Sequence, residues 1–266
     1  MDITVIIPIL LDAYNSENAD LLRTAVDSVK EAAKNHTSGN VKLMIVRPAD
    51  DAVDDFVFEG IECKYLYNPG KTDFCSQVNF AVDSVDTPYF SILEFDDKYS
   101  PKWFRMVEEY YHSNEDVSVF LPVNVQYNAD HSKWQYGNEL PLAASFSNEI
   151  GVIDRECLDN CSTFNLTGAV FNTADFISVG KYKPSIKIAF NYELMLRMAE
   201  EKLRMFVVPK EGYYHVIGRK DSLSDIYTKE IPDEEVALWF DLAKRECTYK
   251  TDRWKTIVMP KKDNLK

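Results

Sequence analysis

Three carboxylates stand close together directly after an apolar run of the sequence. The segment Tyr89–Leu93 is followed by Glu94, Asp96 and Asp97. Alternate side chains of a strand point to the same side, so Glu94 and Asp96 are expected to converge. Converging carboxylates suit a hard divalent cation, Mg²⁺ or Mn²⁺, whose open positions accept phosphate oxygens. A solvated acidic loop before the next helix is the alternative, since acidic groups favour helix N-termini.

The elements before these carboxylates alternate between strand and helix. Three apolar runs predict buried strands: Thr4–Ile9, Val41–Val46 and Glu62–Tyr67. Helices are predicted at Ala19–Lys34 and Ser76–Ser84, and a fourth strand at Tyr89–Phe95. This order predicts an α/β fold with a single Rossmann-like, mostly parallel sheet and helices on both faces. Ligands of such sheets bind at the carboxyl ends of the strands, where the carboxylates lie.

The second half of the chain is less regular. A strand at Val117–Val125 precedes a polar segment with many aromatic residues, and helices are predicted at Phe190–Lys202 and after Pro232. The sequence contains no internal repeat and no low-complexity linker. We therefore expect one domain over residues 1–225 and a C-terminal helical extension over 226–266.

Composition and charge exclude several classes of protein. The 266 residues include 43 acidic and 30 basic side chains, a formal net charge of −13. Binding a polyanion needs a basic face, so we expect no stable complex with nucleic acid. The five cysteines lack metal-ligand spacing and favour free thiols in a reducing compartment. With no signal peptide and no apolar run near roughly 18 residues, we expect a cytoplasmic protein without a membrane span.

The first half resembles family 2 glycosyltransferases, in matching order over about residues 2–110. Thr4–Pro8 is similar to the first strand of that family with its terminal proline, and Asn68–Ala81 resembles its Asn-x-Gly and Asn-x-Gly/Ala pattern. Thr87–Asp97 resembles the strand that leads to its DxD metal motif, with Glu94 in the first position. The resemblance implies the GT-A fold, with a nucleotide-sugar half at about 1–115 and an acceptor half at about 116–225.

The second half agrees with the same family in outline, with one departure at the base. Phe190–Arg197 resembles the segment that usually holds the catalytic base, but Phe190 and Asn191 stand where the family has Glu-Asp. Asparagine cannot accept a proton in this role. The resemblance therefore points to Asn191 and Glu193 as the catalytic positions, with Glu193 as the best candidate for the base. Another residue or the lack of a base are the alternatives.

The resemblance also implies which side chains bind the donor and the metal. The metal would be held by Asp96 with Glu94. His215 is a candidate for a further ligand or for a diphosphate contact, and the alternative is a histidine with a purely structural hydrogen bond beside Tyr213 and Tyr214. The family's Asp-Asp-Gly-Ser after the second strand is missing, so Asp50 and Asp51 are the candidates for contacting the nucleoside. The other residues expected to contact the donor are Pro8, Asn79, Glu94, Asp97, Arg219 and Lys220.

The implied function is transfer of a hexosyl or pentosyl group from a nucleotide-diphosphate sugar, foremost a UDP-sugar, to an acceptor hydroxyl. Transfer would depend on Mn²⁺ or Mg²⁺ and proceed with inversion. Asn191 motivates an alternative, a GT-A-like domain that binds a nucleotide sugar or a partner without catalysis. A nucleotidyltransferase is disfavoured because Leu10–Asn15 contains no glycine for a phosphate loop.

The sequence does not determine the acceptor. A glycan, a lipid-linked sugar, a protein and a modified nucleic-acid base all remain candidates. In the acceptor half, Tyr127, Trp134 and Tyr136 could stack on a sugar or take part in ordinary packing.

Overall fold

A mixed sheet with helices on both faces forms the framework of the protein. The computed structural model describes residues 1–10, 19–50, 55–128, 130, 134–220 and 222–247. Within these residues the strands are β1 (Ile3–Pro8), β2 (Val41–Pro48), β3 (Cys63–Asn68), β4 (Tyr89–Ile92), β5 (Lys98–Tyr99), β6 (Val117–Asn128), β7 (Trp134–Gly137), β8 (Val152–Ile153), β9 (Val170–Asn172) and β10 (Arg204–Ile217). The α-helices are α1 (Ala19–Lys34), α2 (Phe74–Val82), α3 (Trp103–Tyr111), α4 (Arg155–Asn160), α5 (Thr173–Ser178), α6 (Phe190–Glu200), α7 (Leu223–Glu230) and α8 (Asp233–Glu246).

The strand order places the ends of the early strands at one edge. The sheet runs β3-β2-β1-β4-β9-β6-β10-β5, with β7 beside β6 and β8 beside β10. Strands β3, β2, β1 and β4 are parallel to one another, and β6 is parallel to β10. β9 runs antiparallel between β4 and β6. The expected α/β sheet is confirmed, and the carboxyl ends of β1, β2 and β4 meet at the same edge.

Side-chain alternation in β1 explains why helices cover both faces. Val5 and Ile7 are fully buried with the apolar sides of α1 and α3, whereas Ile6 is fully buried with α2 and α6 on the opposite face. A strand buried on both faces reads as a continuous apolar run, which is what the sequence contains here. The predicted two-sided covering is therefore confirmed.

The C-terminal segment packs on the same framework. Its described part consists of α7 and α8, and α8 lies against α6, with the rings of Phe240 and Tyr192 at 5.6 Å between centroids. Ala243 is fully buried in the core that α6 also helps to form. No helix in the described residues combines the length and the apolar character needed to cross a membrane.

Candidate active site

The acidic segment after β4 forms a turn instead of continuing the strand. β4 ends at Ile92, and the backbone N–H of Asp97 donates to the carbonyl of Glu94 at 3.1 Å. Such a turn brings its first and fourth residues together, whereas strand alternation would pair the first and third. The sequence predicted that Glu94 would meet Asp96, whereas the turn brings Glu94 to Asp97. Ligand atoms of Glu94 and Asp97 lie within 4.8 Å of each other and of one from His215.

Asp97 is buried where the turn meets β10, and only 1% of it is exposed. Its Oδ2 accepts hydrogen bonds from the Tyr213 hydroxyl at 2.8 Å and from His215 Nδ1 at 2.7 Å. Its Oδ1 accepts one from the backbone N–H of Val216 at 2.8 Å. All three donors come from β10 and fix the orientation of the carboxylate. An ionised carboxylate accepts about four hydrogen bonds, so three leave room for one more ligand.

His215 is held in a charged state by its partner. Burial by itself lowers the pKa of His215, but the charge and hydrogen bond of Asp97 outweigh it and raise the pKa to about 10. The imidazole is therefore protonated at neutral pH when no cation is bound. A metal ligand must be deprotonated, so metal binding here would release that proton.

Glu94 completes a donor set of two carboxylates and one imidazole. Burial, and then repulsion from Asp97, raises the pKa of Glu94 to about 8. The Glu94 carboxylate accepts no hydrogen bond from the described part of the chain, so its oxygens are open to a ligand. Carboxylate oxygens suit Mn²⁺ or Mg²⁺, and the imidazole nitrogen is a better ligand for Mn²⁺ than for Mg²⁺. A bound cation would favour the ionised form of Glu94 against burial and the charge of Asp97. The residues present therefore fit such an ion.

Asp96, the expected metal ligand, pairs with Arg219. The Arg219 Nε donates to Asp96 Oδ2 at 2.6 Å, and the guanidinium lies 5.1 Å from the centre of the Phe95 ring. Both side chains of the pair are mostly buried. Burial and then the Asp97 charge raise the pKa of Asp96. The loop after β10 thus closes onto the acidic turn, while Lys220 beside it is exposed.

Tyr213 is a residue that the sequence analysis missed. Besides donating to Asp97, its hydroxyl accepts the backbone N–H of Glu94 at 3.2 Å, so it holds both ends of the turn. Its ring packs so tightly on Gly168 that a Cβ there would lie 2.3 Å from it, and Gly168 has a φ of +81°. A glycine is needed for both reasons. The available signal was the two-residue spacing of Tyr213 and His215, which places both on one side of a strand.

The other described residues of the first half that were expected to contact the donor lie at the ends of β1 and β2 and on α2. Pro8 ends β1 and is buried, and Asp50 is exposed just after β2 at the same edge of the sheet. Asp51 lies outside the described residues. Asn79 uses both ends of its amide on the backbone of Tyr182, at 2.8 and 3.0 Å. Asn79 therefore links α2 to the segment before α6.

Glu193, the expected base, is fully buried in an ion-pair network. Its carboxylate accepts from Arg197 Nε at 3.0 Å and Nη2 at 2.8 Å, and Lys183 Nζ lies 2.8 Å from Oε1. Arg197 and Lys183 are themselves buried, with exposures of 1% and 8%. A proton acceptor must reach the hydroxyl that it deprotonates. The burial and the pairing therefore argue against Glu193 as the base.

Asn191 stands at the start of α6 beside a buried tyrosine. Its Oδ1 accepts the hydroxyl of Tyr182 at 3.0 Å, and its side chain is partly exposed. Burial is the main cause that raises the pKa of Tyr182. With Oδ1 engaged, the amide presents an N–H donor where the family resemblance expects a carboxylate.

The chain also matches a protein-family model. The model described as "Glycosyl transferase family 2" matches residues 4–169, which is more than half of the 266 residues. The chain belongs to family 2 of the glycosyltransferases. A search of the curated proteins returned no match to this sequence.

Solved structures of TarS from S. aureus share the fold. TarS 1-349 in complex with UDP-GlcNAc matches with a TM-score of 0.62 at 12% identity, over 98% of this chain and 77% of that one. TarS 1-349 in complex with UDP matches with a TM-score of 0.56 at 13% identity, over 97% of this chain and 75% of that one. Likeness at this identity establishes the fold, so the expected GT-A fold is confirmed.

Proposed function

We propose that this protein transfers a sugar from a nucleoside diphosphate sugar, with UDP as the nucleotide, to an acceptor hydroxyl. The observation that carries the proposal is the meeting of Glu94, Asp97 and His215 at the carboxyl edge of the sheet in a family 2 chain. UDP is favoured because the similar TarS structures hold UDP and UDP-GlcNAc. Calorimetric titration of UDP with and without MnCl₂ tests the site, and absence of any Mn²⁺-dependent binding would refute it.

Glu94, Asp97 and His215 are the residues that would hold Mn²⁺ or Mg²⁺. Such an ion, when bound, neutralises the charge that develops on the departing diphosphate. The chain's own contribution is orientation: Tyr213 and the Val216 backbone keep Asp97 aligned at the turn. Because Asp97 is already aligned, little reorganisation is needed when the donor binds.

Arg219 is the side chain that we assign to the diphosphate. Its guanidinium is within hydrogen-bond distance of Asp96, next to the proposed cation site, and it belongs to a short loop after β10. An arginine fork matches phosphate oxygens as well as it matches a carboxylate. We infer that Arg219 exchanges Asp96 for the diphosphate when the donor binds.

Arg219→Ala is expected to weaken UDP binding in MnCl₂ by about tenfold to a hundredfold, the usual effect of losing a hydrogen bond to a charged group. Uridine has no phosphate, so its affinity should change little. Arg105→Ala, which removes an exposed arginine on α3 paired with Glu109, is the matched control. Equal losses for UDP and uridine would contradict the assignment to phosphate.

A second candidate function is binding of a nucleotide sugar without transfer. It is favoured by Asn191, which presents an amide at the family's base position, and by the burial of Glu193. Inverting transfer needs a group that accepts the hydroxyl proton, and this end of α6 supplies none. UDP-GlcNAc bound with neither transfer nor hydrolysis would support the second candidate, whereas release of UDP supports the first.

Asn191→Asp separates the two candidates further. A carboxylate at this position should increase UDP release from UDP-GlcNAc by about a hundredfold, the scale of general-base catalysis. The rate should also rise with pH as the new carboxyl group ionises. Asn160→Asp, at an exposed position on α4, is the control for added charge. An unchanged rate in Asn191→Asp would mean that this position does not face the acceptor.

A further inference from the structure

Aromatic side chains from the neighbouring strands β6, β7 and β10 lie on one face of the sheet. Trp134 of β7 pairs with Tyr127 of β6, and Tyr127 pairs with Val216 of β10. Tyr136 and Tyr214 both pair with Val125 in the same way. Residues paired across strands point to the same side, so Tyr127, Trp134, Tyr136 and Tyr214 form one surface, which we call the aromatic face.

Two of these rings are exposed to an unusual degree for their size. Trp134 is 65% exposed and Tyr136 is 41% exposed, and their rings meet edge to face at 5.3 Å between centroids. The Tyr136 hydroxyl donates to Glu211 at 2.9 Å, which holds its ring in place. The sequence left Trp134 and Tyr136 open between packing and sugar stacking, and their exposure argues against core packing. Exposed apolar patches of this kind commonly mark binding surfaces.

The aromatic face adjoins the proposed donor site at the carboxyl end of β10, where Tyr214 points to the opposite side of the strand from Tyr213 and His215. The backbone N–H of Val216, two strands away from Trp134, donates to Asp97. Neighbouring strands lie about 4.8 Å apart, so roughly 10 Å separates the backbones of Val216 and Trp134. Tyr127 is the aromatic residue paired with Val216, and burial followed by the charges of Asp97 and Asp96 raises its pKa.

Charged groups surround the rings. The Lys98 Nζ lies 5.9 Å from the centre of the Tyr127 ring, and Glu211 adjoins Tyr136. The rings are Tyr and Trp, which combine an apolar face with a polar edge. A sugar ring presents C–H groups on its faces and hydroxyls around its rim, so it matches both features.

We propose that the aromatic face is the binding site for a carbohydrate acceptor, which narrows the acceptor class to a glycan. This rests on the proposed function, because the acceptor is identified by the closeness of the aromatic face to the donor site. Trp134 and Tyr136 stack on sugar rings of the acceptor, and Lys98 and Glu211 bind its hydroxyls. The sugar that receives the transferred group then extends past Tyr127 toward Asp97.

The test measures binding of the full chain to an array of defined oligosaccharides in the presence of UDP and MnCl₂. The array contains oligosaccharides of glucose, N-acetylglucosamine, galactose, mannose and rhamnose. We expect binding to at least one class, with affinity lowered at least tenfold in the double variant Trp134→Ala/Tyr136→Ala. Trp134→Phe should retain most of the affinity because it keeps a ring. Leu238→Ala removes a similarly exposed apolar side chain, 62% exposed, from α8 and should change nothing.

The outcomes separate this inference from the proposed function. UDP binding that persists in the double variant, together with lost oligosaccharide binding, supports the acceptor site. UDP binding with no oligosaccharide bound, or bound equally by the double variant, overturns the acceptor site and leaves the donor site standing. Failure to bind UDP at all refutes the proposed function instead. A dimer in sedimentation that the double variant converts to monomer would reassign the aromatic face to self-association.

Discussion

Asp97→Asn is expected to lower the Mn²⁺-dependent affinity for UDP by at least about a hundredfold, above the loss typical for residues that only support a metal ligand. The substitution removes a negative charge from the centre of the proposed site. It also weakens the hydrogen bonds that orient Tyr213 and His215. The measurement is calorimetric titration of UDP at several MnCl₂ concentrations, combined with direct titration of Mn²⁺.

The matched control for this prediction is Asp86→Asn. Asp86 is an exposed carboxylate that pairs with Lys42 at 2.9 Å, at the opposite edge of the sheet before β4. It should leave UDP and Mn²⁺ binding unchanged. Because Asp97 is buried, its variant needs a thermal-melting control, and Glu94→Gln, at a more exposed carboxylate, repeats the test with less risk to folding. Wild-type affinity in folded Glu94→Gln and Asp97→Asn would rule out the metal assignment.

Glu193→Gln should lower the free energy of unfolding by about 3–5 kcal/mol, the scale for removing one partner of a buried ion pair. The substitution leaves the charges of Arg197 and Lys183 buried without compensation. These residues also hold other elements: Arg197 donates to the carbonyls of Val179 and Lys181, and Lys183 to that of Glu246 at the end of α8. Urea unfolding with an unchanged m-value is the measurement.

Glu200→Gln on the same helix provides the comparison. Glu200 is 49% exposed and pairs with Arg155 at 3.3 Å, so its loss should cost below about 1 kcal/mol. Glu193 would again be the candidate base if Glu193→Gln left the unfolding free energy and the UDP affinity unchanged but strongly reduced UDP release from UDP-GlcNAc.

The network around Glu193 links the region before α6 to the neighbouring helices. Lys183 and Tyr182 are neighbours in one segment, tied to α6 by Glu193 and Asn191 and to α2 by Asn79. The Tyr182 ring also packs edge-on against Phe74 and Phe176. A buried ionic group is costly unless every member is paired, and here the pairs join α6 to the segment before it. We infer that this network positions the start of α6 and takes no part in chemistry.

Much of the early half could be predicted from the sequence because its signals are local. The continuous apolar run of β1 and the helical period of α1 depend on burial pattern alone, and both elements form at nearly the predicted bounds. The acidic cluster was predicted because three carboxylates after an apolar run require a partner. Its geometry was not predicted, because the strand ends at Ile92 and the backbone N–H of Asp97 bonds to the carbonyl of Glu94 in a turn.

Residue type and position along the chain therefore determined the α/β fold, the acidic cluster at a strand end and the family to which the chain belongs. The tertiary structure decided which side chains meet: Asp97 instead of Asp96 beside Glu94, Tyr213 across the turn, and Glu193 inside an ion pair. These meetings join residues up to 119 positions apart, as between Glu94 and Tyr213. Periodicity reports which face of its own element a side chain lies on, and only the packing of distant elements determines what occupies the space opposite.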